Sequence, residues 1–376
     1  RPPRPAAQQA AGLRCAPRVP SACGRMPRRG LLAALLHGVG RPCFVLGPPA
    51  PSGQGLAGGP RVEAWLYGNV VKYAYYYAEL WVGSPEPQRT TVIVDTGSHL
   101  LGFPCRGCTR CGQHLDPAFD FSRSASAVWL NCSSHCDECR GERCGYRALY
   151  SEGSSVSGRW FQDVVHFEGP AGRGPPLHVR LGCHRQESEL FLTQRADGIM
   201  GLAPAGAASL MNHQTILQDI FGEVSDANTP ATADAVFALC LNTWGGRLSI
   251  GGYSVPPQGN IRWLRMSASL YYSVFPTRLV LEGGLLVAAG PAAFGTTIVD
   301  SGTTFSSLPG PAYQNLVTGL DTHCRVHGCG GKRIGKECWH LDELLAGPQR
   351  FPTLRMQFGE DGEVDWPPHA YLHQNG

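Results

Sequence analysis

A mainly β, two-lobed protein is predicted by three observations. Thr91-Val92-Ile93-Val94-Asp95-Thr96-Gly97-Ser98 is echoed by Thr297-Ile298-Val299-Asp300-Ser301-Gly302-Thr303. Each is an apolar, β-branched strand running into a turn-prone, hydroxyl-rich Asp-Thr/Ser-Gly. A proline, Pro104 or Pro309, follows each aspartate nine residues on, so the repeats read as corresponding pieces of two similar lobes. Finally, 48 Gly and 30 Pro against 16% charged residues fit a turn-rich β chain, and 376 residues suffice for two lobes.

Residues 1–60, rich in Arg, Pro, Ala and Gly, are expected to be disordered or a processed leader. Within them Met26, basic Arg28-Arg29 and apolar Leu31-Leu32-Ala33-Ala34-Leu35-Leu36 have the order of a signal peptide, or form a chance apolar patch. No apolar run is long enough to span a bilayer, so any membrane anchor is expected outside this chain. The first lobe is placed at 61–238 and the second at 239–376. Strands are expected from Tyr73 to Val82, at the Asp95 motif, from Val236 to Leu241, and from Tyr271 to Leu281. The net charge of +3 gives no argument for a nucleic-acid partner.

A strand that stops at Asp-Thr/Ser-Gly presents a carboxylate at its tip, and two such tips face to face make a dyad. Two carboxylates in one site cannot both ionise cheaply, so one proton is held between them. The ionised member can then take a proton from a water while the protonated member polarises a carbonyl. A single Asp-Gly turn is an ordinary structural feature. The matched pair points instead to catalysis by Asp95 and Asp300. No metal or cofactor is expected.

The 15 cysteines argue for an oxidising, secretory compartment. Seven fall between 105 and 144: Cys105, Cys108, Cys111, Cys132, Cys136, Cys139 and Cys144. Cys-x2-Cys-x2-Cys could ligate zinc or an iron–sulfur cluster. It lacks the proline or fourth ligand at cluster spacing, and disulfides are the preferred reading. Seven leave one over, for which Cys183 is the remote partner at hand. Cys240, Cys324, Cys329 and Cys338 bring the set to twelve, with connectivity open. Asn131-Cys132-Ser133 has the pattern of a glycosylation acceptor.

The two aspartate motifs resemble those of the pepsin-type aspartic proteases, the standard example of a proton-sharing dyad. The cysteine-rich insert at 105–144 is similar to that of the nepenthesin-like branch. Phe103-Pro104-Cys105-Arg106-Gly107-Cys108-Thr109-Arg110-Cys111-Gly112-Gln113-His114, Leu181-Gly182-Cys183-His184 with Glu187-Ser188-Glu189-Leu190-Phe191, and Trp366-Pro367-Pro368-His369-Ala370-Tyr371-Leu372 resemble the plasmepsin V-like group of parasite proteases. The resemblance implies that Thr96 and Ser301 cross-link the two loops, with Gly97 and Gly302 in the turns. Ser98 and Thr303 would bond the outer carboxylate oxygens.

It further implies a flap at 146–162, with Tyr150 closing over substrate and Gly153 in its turn, and Ile199-Met200-Gly201 threading beside the first loop. Asp116 is the candidate acceptor for the arginine of an Arg-x-Leu export motif. Two departures stand out. No cysteine follows Tyr150 before Cys183, and Gly102 replaces a flap-bracing tryptophan, so a weaker hold on the flap is expected. A second apolar-apolar-Gly segment and a closing Ile-Gly-Phe are missing before Gly376, so the second lobe is expected to be incomplete. The function implied is that of a monomeric endopeptidase of the endoplasmic reticulum or Golgi, acting on proteins or peptides entering the secretory route. The alternative is a non-catalytic pepsin-fold binding protein or an inactive truncated form.

Overall fold

A computed structural model of the chain describes residues 21–23, 43–46, 62–133, 136–204, 215–224, 236–242, 244–252, 263–268, 270–335, 338–341, 348–372 and 374–375. One large mixed sheet organises the first lobe. Its strands run in the order Cys43–Leu46, Phe237–Asn242, Gly245–Ile250, Val62–Asn69, Tyr75–Val82, Gln88–Asp95, Gly198–Gly201, Leu101–Pro104, Leu177–Glu187, Ser155–Gly169, Arg143–Leu149 and Glu138–Arg140. The last six residues of Gln88–Asp95 are all buried, because the sheet is covered on both faces there. Its Val- and Ile-rich sequence suits that environment. Ser155–Gly169 instead alternates buried and half-exposed positions for most of its length, as a strand with one wet face does.

Gly198–Gly201 threads between two strands of the first lobe. It pairs parallel with Gln88–Asp95, setting Gly201 opposite Asp95, and antiparallel with Leu101–Pro104. The chain leaving Asp95 is thus gripped from its neighbour: Leu202 N–H donates to Asp95 C=O at 2.7 Å and Ala203 N–H to Ser98 C=O at 2.9 Å.

The second lobe is built from shorter pieces. Met266–Ala268, Tyr272–Val274 and Thr297–Ile298 form one sheet. Leu286–Ala289, Arg278–Leu281, Leu354–Gln357 and Glu363–Trp366 form another. Helix Gly310–His323 opens at Pro309 and Pro311 and buries Ala312, Tyr313, Leu316, Val317 and Leu320, one face at helical spacing. Both lobes contribute to one contiguous apolar core. Polar contacts also join them, with Tyr272 Oη donating to Leu202 C=O at 2.8 Å and Thr304 Oγ1 to Ala74 C=O at 2.7 Å. Among the described residues, no helix is long and apolar enough to cross a membrane.

The structure departs from the sequence reading in three places. Residues 43–46, within the stretch expected to be disordered or a processed leader, pair with 237–240 and bury Phe44 and Leu46 in the core. Ser21–Cys23 likewise pairs with Cys338–His340. The lobe boundary at 238 falls inside the strand Phe237–Asn242, which belongs to the large sheet. The expected strand from Tyr271 to Leu281 is two strands separated by Pro276, which has no N–H for a sheet ladder. The signal-like stretch Met26 to Leu36 lies outside the described residues.

Candidate active site

The two aspartate loops meet tip to tip between the lobes with matching hydrogen bonds. Gly97 N–H donates to Asp95 Oδ1 at 2.9 Å, and Ser98 Oγ donates to Asp95 Oδ2 at 2.5 Å. Gly302 N–H donates to Asp300 Oδ1 at 2.9 Å, and Thr303 Oγ1 to Asp300 Oδ2 at 2.5 Å. The hydroxyls between the aspartates and glycines then cross over. Thr96 Oγ1 accepts from Ser301 N–H at 2.9 Å and donates to Val299 C=O at 3.0 Å. Ser301 Oγ accepts from Thr96 N–H at 3.1 Å and donates to Val94 C=O at 2.8 Å. Four hydrogen bonds thereby fix one loop against the other.

The glycines are required by close approach. A Cβ on Gly97 would lie 2.7 Å from the Asp300 carboxyl atoms, and one on Gly302 would lie 2.3 Å from Asp95 Oδ1. Each loop therefore offers a bare backbone to the opposite carboxylate. Burial, followed by the charge of Asp300, pushes the Asp95 carboxyl up to about 8 against the Ser98 and Gly97 hydrogen bonds that favour its ionised form. A protonated carboxyl beside a carboxylate acceptor is what acid–base work on a bound water requires.

The hairpin between Arg143–Leu149 and Ser155–Gly169 overhangs this pair. Its turn closes by Tyr150 N–H donating to Ser154 C=O at 2.9 Å and Gly153 N–H to Tyr150 C=O at 3.0 Å. Gly153 takes φ +104°, in the region that favours glycine. The Tyr150 hydroxyl is buried beside Ser98 and Asp95. Burial and then the Asp95 charge push this phenol far up, which keeps it neutral. Its ring packs on Phe191, with centroids 5.1 Å apart.

Asp116 already holds one guanidinium. Arg89 donates to its Oδ1 at 2.7 Å and to Glu79 Oε1 at 2.5 Å, so the guanidinium it holds belongs to its own chain. Asp116 also lines a cavity of about 300 Å³ with Thr90, His114 and Asp197, on the side of the cysteine-rich insert. Burial and neighbouring Asp197 push its carboxyl up to about 6 despite Arg89. Asp116, the candidate acceptor for a substrate arginine, thus shares Oδ1 with Arg89 and keeps a buried Oδ2 without a hydrogen-bond partner. Sequence reasoning passed over two other carboxylates. Asp197 accepts from Thr91 N–H and Thr91 Oγ1, both at 2.6 Å, and so anchors the Asp95 strand; its position just before Gly198-Ile199-Met200-Gly201 was the available signal. Glu152, exposed at the flap tip, is close enough to act on the Tyr150 phenol.

The seven cysteines of the insert are all consumed in disulfides, which leaves no thiolates there for zinc or iron–sulfur ligation. The pairs are Cys105–Cys183, Cys108–Cys111, Cys132–Cys139 and Cys136–Cys144, and outside the insert Cys324–Cys329. Cys240 and Cys338 are disulfide-bonded as well, and strand register sets them opposite Cys43 and Cys23. Asn131, next to the Cys132–Cys139 bond, is exposed.

Comparison with known proteins adds relatives to this geometry. Residues 76–252 match the family model described as Xylanase inhibitor N-terminal. The chain is 34% identical to Aspartic protease 5 of Toxoplasma gondii over 346 residues, covering 77% of this chain and 34% of that protein. It is 34% identical to Plasmepsin V of Plasmodium falciparum over 196 residues, covering 50% of this chain and 31% of that protein. Aspartic proteinase nepenthesin-1 of Nepenthes gracilis is 24% identical over 331 residues, covering 83% of this chain and 72% of that protein. The chain spans about a third of the length of the first two relatives.

Proposed function

We propose, from the premise that this chain belongs to the pepsin-type aspartic proteases, that it carries the cleavage machinery of an aspartic endopeptidase. The observation that carries the reading is the cross-linked pair of loops presenting Asp95 and Asp300 to one another across Gly97 and Gly302. Asp95, the more deeply buried carboxyl, holds the shared proton, and Asp300 is the base. Asp300 takes a proton from a water whose oxygen attacks the peptide carbonyl carbon, and Asp95 gives its proton to the carbonyl oxygen. The resulting gem-diol collapses as the C–N bond breaks, with a proton delivered to the departing amine. Tyr150 covers the site from the flap and excludes water.

The natural substrates in this reading are proteins entering the secretory route, cleaved by a monomeric enzyme in the endoplasmic reticulum or Golgi. The disulfide set supports an oxidising compartment. Arg-x-Leu export motifs are the proposed cleavage signal. Tyr150 and Phe191 supply an apolar wall for the leucine, and exposed Glu152 supplies a carboxylate for the arginine. A non-catalytic binding role is disfavoured, because a binding module has no need of two carboxylates held against their own repulsion. The test is cleavage of an Arg-x-Leu peptide and its Ala-x-Leu counterpart by the full-length protein. Efficient cleavage with at least about tenfold preference for arginine is expected, the worth of one charge-assisted bond. Cleavage without preference removes the motif, and absence of cleavage removes the endopeptidase.

A further inference from the structure

Beneath the flap the fold buries a polar chain that the cleavage chemistry does not use. Glu187 ends the strand Leu177–Glu187 and stands between two histidines. His184 Nδ1 lies 2.8 Å from Glu187 Oε1, and His114 Nε2 lies 3.1 Å from Oε2, which also accepts from Gly112 N–H at 3.1 Å. The side chains of His184 and Glu187 are 0% exposed and that of His114 is 4% exposed. Burial alone would neutralise Glu187, yet these donors hold its carboxyl down to about 2. Burial works against a charge on His114, but Glu187 lifts it above the ordinary imidazole value. Burial pushes His184 the other way, so this ring is neutral and donates its Nδ1–H to Glu187. A carboxylate that fixes a histidine's tautomer also fixes its orientation.

The fixed ring fills a space that a glycine leaves open. A Cβ on Gly102 would fall 2.7 Å from His184 Nε2 and 3.0 Å from Gly182 C=O. The ring also meets Phe191 edge-on and Tyr146 at a tilt, each with centroids 6.2 Å away. Both contacts lead to the flap. Phe191 packs on Tyr150, and Tyr146 belongs to the flap strand Arg143–Leu149. At the other end of the chain, His114 and Gly112 belong to the cysteine-rich insert.

We propose that His184, held by Glu187 against Gly102, is the positioning residue of the flap, and that the cysteine-rich insert reaches the active site through His114. The inference rests on the endopeptidase reading for its kinetic consequence. It replaces the expectation of a loosely held flap at Gly102, since the space beside that glycine is filled from the neighbouring strand.

The test uses the full-length protein, with kcat and KM on the Arg-x-Leu peptide and hydrogen exchange of the amides at 150–154. His184→Phe keeps an aromatic ring but gives up the bond to Glu187. It should lower kcat/KM about tenfold, mostly in kcat, and speed exchange at 150–154 while leaving Gln88–Asp95 protected. His184→Asn keeps a donor for Glu187 but withdraws from Phe191. It should also speed exchange at 150–154, and it carries the test if His184→Phe does not fold. Gly102→Ala should cost about tenfold in the parent and less than about threefold beside His184→Asn, because the clashing ring is gone. An equal cost in both backgrounds, or unchanged exchange at 150–154 in both His184 variants, overturns the proposal. A parent protein that cleaves nothing overturns the endopeptidase reading instead, and the exchange measurement alone then decides the coupling of His184 to the flap.

Discussion

The two aspartate loops share nearly every hydrogen bond, yet they sit in unlike surroundings. Asp95 ends a strand paired on both sides, is 6% exposed, and is followed by a chain bonded to Leu202 and Ala203. Asp300 follows the two-residue strand Thr297–Ile298 and is half-exposed. The carboxylate geometry is the same because Asp-Thr/Ser-Gly carries its own donors: the glycine N–H and the following hydroxyl. In the proposed mechanism, that difference in burial is what favours Asp95 as the holder of the proton. The local motif makes the pair symmetric in shape, and the packing around it makes the pair asymmetric in charge.

The largest expected effect ignores that asymmetry. Asp95→Asn and Asp300→Asn should each lower kcat by about a thousandfold or more, and the double variant should be no worse than either, since the carboxyls act as one unit. Activity surviving in one single variant would mean that only the other aspartate matters. Next come Gly97→Ala and Gly302→Ala, which thrust a Cβ into the opposite carboxylate. Each should cost about a hundredfold in kcat while the circular dichroism spectrum stays unchanged.

The hydroxyls should show the asymmetry in stability. Thr96 is 0% exposed and Ser301 is half-buried, so Thr96→Ala should lower the unfolding free energy by about 2–3 kcal/mol and Ser301→Ala by about 1 kcal/mol in urea titrations. Equal losses would show that the two lobes hold the cross-link alike. The smallest effect is on pH. The Asp95 carboxyl is raised from 3.8 to about 8, so between these values the folded protein binds more protons than the unfolded chain. Its contribution to stability is complete below about 4 and is lost as pH rises towards about 8. Asp95→Asn should flatten that decline, and an unaltered slope would mean that burial does not govern the pair.

Much of this site was legible because its information is local. Each aspartate loop has its strand, carboxylate, hydroxyls and glycine within eight consecutive residues, and the repetition makes the pair visible. Cysteine parity similarly pointed from the insert to Cys183. What escaped depends on register. Arg89 meets Asp116 across 27 residues, through strand placement that no spacing rule supplies. His184 and Glu187 are three apart, which on a regular strand puts them on opposite faces. The register shift opposite Ser157 and Gly158 leaves Arg185 unpaired and brings both to one side. The strand Cys43–Leu46 was hidden for a plainer reason: its four residues lie in a Pro- and Gly-rich stretch, and their alternation is too short to stand out.

The measurement that tests the central claim most directly is binding of a statine-type peptide, whose hydroxyl imitates the tetrahedral intermediate, to the full-length protein and its Asp95→Asn and Asp300→Asn variants. A shared-proton dyad predicts tight binding to the parent and at least about a hundredfold weaker binding to each variant, because the mimic draws its affinity from the assembled pair. Equal affinity for all three would contradict it. The cleft would then bind extended peptides without using its aspartates.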